Sequence, residues 1–78
     1  MTFDVHVIDD DGDAVEGTLV RVSFPGIING GWLEEFTDEE GHAEFDSAND
    51  HDEVSIRVRG EWYGPFEVSE GAGFTISV

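Results

Sequence analysis

The chain contains no cysteine and no lysine, and only two prolines and one methionine. Without cysteine it can form no disulfide, no cysteine nucleophile and no thiolate metal site. Without lysine, Arg21, Arg57 and Arg59 are its only strongly basic side chains. Contacts to phosphate need cations, so three arginines against 19 acidic residues argue against nucleic acid as a partner. A long apolar run is also missing, and the segment MTFDVHVIDDD has neither the basic stretch nor the apolar core of a signal peptide. No membrane partner is therefore expected, and the expected location is cytoplasmic. A chain of 78 residues leaves room for one domain. Starting at Met1 it reads as free-standing, a reading that a fragment of a longer protein satisfies equally.

What the chain does have is negative charge, with a formal net charge of -16. Low hydrophobicity with high charge ordinarily means disorder. Here 38% hydrophobic and 12% aromatic residues, with carboxylates spread among apolar positions, read instead as a folded domain with a solvated acidic surface. Such a surface repels itself at low ionic strength. It becomes tolerable near molar salt, where the screening length shrinks to about 3 Å. The composition thus points to a salt-adapted protein.

Apolar residues recur with period two and not with helical spacing, and clusters of Gly, Asp, Asn and Pro interrupt them. This predicts an all-β chain with strands at 3–8, 18–24, 32–37, 42–46, 54–59, 64–69 and 73–78. Phe3, Val5 and Val7 share a face of the first, and Thr18, Val20, Val22 and Phe24 the inner face of the second, leaving Leu19, Arg21 and Ser23 outside. Ala43 and Phe45 face inward on the fourth. Val54, Ile56 and Val58 alternate with Ser55, Arg57 and Arg59 on the fifth, the two arginines being expected to pair with nearby carboxylates. Pro65 marks an edge or a bulge. Asp9–Asp13 and Asp38–Gly41 are turns, the second with Gly41 at positive φ. Seven short strands fit an antiparallel β-sandwich with Val5, Val20, Val22, Phe45, Ile56, Val58 and Ile76 in its core.

The run HVIDDDGDAVEGTLVRVSF, followed by GWLEEFTDEEGHAEF, resembles the N-terminal half of the transthyretin (prealbumin) superfamily. That superfamily includes the hydroxyisourate hydrolases and the carboxypeptidase regulatory-like domains. The shared elements are a first strand ending in a D-x-x-G turn, a G-x-x-V-x-V second strand, and T-D-x-x-G followed by a small-x-aromatic strand. They span roughly the first 45 residues. The resemblance implies a seven-stranded antiparallel immunoglobulin-like or transthyretin-like β-sandwich, most often a binding or structural module. It also implies that His6 stands where the hydrolases place a catalytic histidine. Their basic residue after the turn is replaced here by His42, and their C-terminal Y-R-G-S is absent, the chain ending GFTISV. A hydrolytic site needs a general base and a group that stabilises developing negative charge. His6 alone does not supply both securely, and it reads as an outward polar residue between Val5 and Val7.

Other chemistries find less support. An EF-hand loop has its glycine sixth, and aligning Gly12 there puts Val7 and Thr18 at the first and last ligand positions, so Asp9, Asp10, Asp11 and Asp13 form a solvated acidic turn. His42 and His51 lack zinc-site spacing. Gly30 and Gly31 precede a strand, not a helix, which removes a phosphate loop. No catalytic residue, metal site or cofactor is assigned.

The candidate binding residues are apolar: Ile27 and Ile28 in the loop FPGIINGGW, Trp32 beside it, and Trp62 and Tyr63 in a second cluster with Phe66. Exposed apolar groups near aromatics mark partner sites, whereas aromatics also close the ends of small cores. The expected protein is a non-enzymatic binding or accessory module of a high-salt cytoplasm. Its expected partner is another protein, or a second copy held weakly through the loop 25–31. The alternatives are a hydroxyisourate-hydrolase-like enzyme using His6 and an acidic mimic that binds a basic protein.

Overall fold

The computed structural model describes residues 1–25 and 31–78. Seven strands carry the chain: β1 (Thr2–Ile8), β2 (Leu19–Phe24), β3 (Gly31–Phe36), β4 (His42–Asp46), β5 (Glu53–Val58), β6 (Glu61–Glu67) and β7 (Ala72–Ser77). They form two sheets, of order β4-β1-β7 and β3-β2-β5-β6. No helix occurs among the described residues.

Each sheet turns one face inward because alternate side chains of a strand point to opposite sides. Phe3, Val5, Val7, Ala43, Phe45 and Ile76 from the smaller sheet meet Val20, Val22, Phe24, Val54, Ile56 and Val58 from the larger, all buried. All seven expected core residues are among them. Phe3 is the hub: its ring stacks on Phe45 at 5.4 Å between centroids and meets Phe24 and Phe74 edge-on at 6.0 and 6.2 Å. Aromatic rings favour both arrangements electrostatically.

Two features depart from the expected sandwich. The ladder between β1 and β7 is parallel, running from Phe3↔Ala72 to Ile8↔Ser77, so the sandwich is not wholly antiparallel. Alternation is blind to strand direction. The direction of β7 is decided by the crossing from β6, in the other sheet, to the edge beside β1. The second departure is β6, which begins at Glu61 and not at residue 64. Arg59 and Gly60 both have positive φ, 53° and 81°, and close a two-residue hairpin in which Val58 opposes Glu61. That backbone twist matches the twist of the flanking strands, so Trp62 and Tyr63 become strand residues. Pro65 lies on an edge strand, whose ladder to β5 shifts register between Val54 and Ile56.

The two acidic turns have one design. In each, an Asp carboxylate accepts hydrogen bonds from the backbone N–H groups two and four residues on: Asp9 from Asp11 and Asp13 at 2.9 and 3.0 Å, and Asp38 from Glu40 and His42 at the same distances. Thr37 locks the second turn to the chain ahead of β2. Its hydroxyl donates to the Val15 carbonyl at 2.6 Å and accepts from the Thr18 N–H at 3.0 Å, and the side chain is buried. Thr37→Val keeps the shape and leaves both backbone groups without their partner. The expected loss, read by denaturant unfolding, is about 1–3 kcal/mol, with Thr37→Ser retaining most of the stability. Equal losses in the two variants would contradict a hydrogen-bonding role.

Candidate functional site

Two outward faces carry the chemistry-bearing residues. On the larger sheet, the side chains out of phase with the core are Leu19 and Arg21 on β2, Trp32, Glu34 and Phe36 on β3, Arg57 on β5 and Trp62 on β6. Register arranges them in rows. Leu19 opposes Phe36; Glu34 opposes Arg21, Arg21 opposes Arg57, and Arg57 opposes Trp62, so one row crosses all four strands. Arg21 donates through Nε and Nη2 to Glu34 Oε2 at 3.1 and 3.0 Å, and its guanidinium lies 4.7 Å from the Trp32 ring centroid. The Arg57 guanidinium lies 5.7 Å from the Trp62 centroid. Both are cation–π distances.

Leu19, Trp32, Phe36 and Trp62 are the exposed large apolar side chains among the described residues, at 40, 60, 66 and 51% exposure. All four are on this face. Trp32 and Trp62 therefore do not close the ends of the core. Tyr63 and Phe66 do pack against it, half-buried, from the inner side of β6. Ile27 and Ile28 lie outside the described residues. Beside Arg21 a shallow depression of ≈ 300 Å³ opens, lined by Thr18, Leu19, Glu34 and all three arginines. Arg57 and Arg59 were expected to pair with carboxylates, yet among the described residues only Arg21 does. Leu19, Phe36 and the opposition of Arg21 to Arg57 were missed as site features. The available signal was that Leu19 and Phe36 break the polar phase of their strands.

On the smaller sheet, His6 of β1 opposes His42 of β4, and Asp4 opposes Glu44. The imidazoles stack at 4.1 Å between centroids and 5° between planes, and His42 Nδ1 lies 2.7 Å from Asp4 Oδ2. With Asp4 ionised, Nδ1 carries the proton. This contact, aided by the nearby charges of Asp38 and Glu40, raises the pKa of His42 above its ordinary value, and the His42 and Glu40 backbone N–H groups hold Asp38 below the usual carboxylate range. The third histidine, His51, stacks instead on Phe24.

Because the folded state holds the His42 proton more tightly than the unfolded chain, the resulting stabilisation is complete below the ordinary value of about 6.5 and is lost as pH rises through the folded value. NMR titration of the imidazole C–H signals is expected to place His42 above that value in the wild type and closer to it in Asp4→Asn. An identical titration in both proteins would rule out Asp4 as the cause.

In the acidic turn, carboxylate oxygens of Asp9, Asp11 and Asp13 lie within 4.8 Å of one another. Asp9 is already committed to two backbone N–H groups there. No protein-family model and no curated protein matches the chain.

Proposed function

We propose that the protein is a non-enzymatic binding module of transthyretin-like or carboxypeptidase regulatory-like type, working in concentrated salt, and that the outer face of its four-stranded sheet contacts a partner protein. One observation carries the reading. A chain of net charge -16 gathers Arg21, Arg57 and four exposed large apolar side chains on a single sheet face, and Arg59 of the adjoining hairpin lines the same depression as the other two arginines. Tryptophan and arginine dominate binding energy at interfaces, because they bury large areas and keep a polar handle. The test is affinity purification from the source cell in molar salt, followed by binding of each purified captured protein to wild type and to a Trp32→Ser, Trp62→Ser variant. The variant is expected to bind at least about tenfold more weakly. A captured protein that binds both equally would put the contact surface elsewhere.

The salt adaptation has its own expected result. Among the described residues only Asp4, Glu34 and Glu70 enter ion pairs, out of 19 acidic side chains. Raising salt from roughly 0.1 M to about 2 M at constant pH shortens the screening length severalfold. The thermal midpoint is expected to rise by on the order of 10 °C, since each kcal/mol regained moves a domain of this size by about 4–8 °C. A midpoint independent of salt would contradict it.

A second reading, a hydroxyisourate-hydrolase-like enzyme using His6, is favoured by the stack of His6 on His42 and the contact of His42 with Asp4. Against it, all three arginines belong to the other sheet and its hairpin, away from any oxyanion formed at His6. Incubation with freshly generated hydroxyisourate is expected to give no turnover above background. Turnover lost in His6→Ala would promote this reading over the first.

A further inference from the structure

We propose that the depression bounded by Arg21, Arg57 and Arg59 is an anion-binding site that receives a carboxylate side chain from an acidic, apolar-flanked segment of a partner protein; this rests on reading the surrounding face as the contact surface. Arg21 and Arg57 are direct cross-strand partners on the two central strands of their sheet. Like charges placed opposite each other destabilise a ladder. In a chain with 19 carboxylates and three arginines, such a pairing is the least expected use of scarce cations. Glu34 offsets one of them, both Arg21 donors converging on its Oε2. Arg57 and Arg59 have no carboxylate within ion-pair distance among the described residues. The depression thus keeps an excess of positive charge inside a strongly negative molecule.

A second observation, from the backbone, points to the same place. Arg59 has φ 53°, the only non-glycine residue with positive φ among the described residues. A turn position of this kind favours Asn, Asp or Gly. Here an arginine occupies it and contributes to the wall of the depression. Residues kept in sparsely populated conformations concentrate at ligand sites.

The chemistry of the rim selects the occupant. Guanidinium groups donate in a planar fork that matches a carboxylate, and they stack on aromatic rings, as Arg57 does on Trp62. Leu19, Phe36 and Trp62 around the cations offer apolar surface to residues flanking the acid. A polyanion such as nucleic acid needs many cationic contacts along its length, and this chain has three arginines in all. A single carboxylate in an apolar segment brings one charge to a short-range site.

The test uses the intact isotope-labelled protein, following arginine Nε–H and tryptophan indole N–H signals by NMR. The probes are acetyl-Phe-Asp-Leu-amide, its Asn counterpart and sodium acetate. The Asp peptide is expected to shift Arg57, Arg59 and Trp62 saturably, and the Asn peptide to bind at least about tenfold more weakly. Acetate is expected to move the arginine signals at higher concentration. In an Arg57→Gln, Arg59→Gln variant with an unchanged thermal midpoint, the preference for Asp over Asn is expected to disappear. Equal binding of both peptides, with only tryptophan signals moving, would overturn the carboxylate site while leaving the contact face standing. Unmoved arginine and tryptophan signals with every probe would overturn the site as well. Sedimentation showing a dimer that the double variant abolishes would make the occupant a second copy and overturn the assignment to a foreign segment.

Discussion

Replacing Ile56 with alanine is expected to lower the stability of this domain by about 2–5 kcal/mol. Its side chain has no exposure, and it sits on β5 between Val22 of β2 and Tyr63 of β6, facing the smaller sheet. Truncation removes apolar contact and leaves a cavity, because strands held in ladders on both sides cannot close over it. Domains carry about 0.05–0.15 kcal/mol of stability per residue, so this loss is a large fraction of the total. Ile56→Val, which removes one methyl group, is expected to cost about 0.5–1.5 kcal/mol. Denaturant unfolding at fixed salt separates the two. A cost for Ile56→Ala no larger than that for Ile56→Val would mean that the site collapses freely or that Ile56 is not central to the core.

The second large effect is expected at Gly41, which has φ 80° in the turn before β4. A Cβ added there would lie 2.6 Å from the Val7 carbonyl oxygen and 3.2 Å from the Ala14 Cβ. The same stretch of β1 is tied down from both sides, since the Val7 N–H donates to the Gly41 carbonyl at 2.8 Å and the Val7 carbonyl accepts from the Val15 N–H at 3.0 Å. Gly41→Ala must therefore adopt an unfavourable backbone conformation and also push β1 away from two hydrogen bonds. The expected cost is about 3 kcal/mol or more. Gly12 is the control. It has φ 84° in the sister turn, with nothing within 4 Å of its added Cβ, so Gly12→Ala should show the conformational cost alone, about 1–2 kcal/mol. Equal losses at the two glycines would show that the close approach of the Val7 carbonyl carries no weight.

The two substitutions divide what was legible in the chain from what was not. The inward placement of Ile56 follows from alternation with Ser55 and Arg57, a property of one strand that needs no partner. The same local rule located Val5, Val20, Val22, Phe45, Val58 and Ile76. The positive φ of Gly41 was legible because D-E-E-G turn chemistry is also local. Its contact with Val7 was not, because residues 34 positions apart meet only after β4 pairs with β1.

The site divides the same way. Composition alone shows three arginines and an excess of acid, and phase alone shows that Leu19, Arg21 and Arg57 point outward. Only the register of β2 against β5 sets Arg21 opposite Arg57, and only the pairing of β1 with β4 stacks His6 on His42. Trp32 and Trp62 show the limit most clearly. An aromatic residue serves equally as core filler or as surface anchor, and the choice falls to strand phase. For Trp62 that phase was set by the hairpin at Arg59 and Gly60. The parallel course of β7 likewise depends on a crossing between sheets. Sequence by itself determined which strands form and which of their faces are apolar, because those are near-neighbour properties of the chain. Tertiary structure decided strand direction, register and the grouping of charges on one face, because each depends on which distant segments share a ladder.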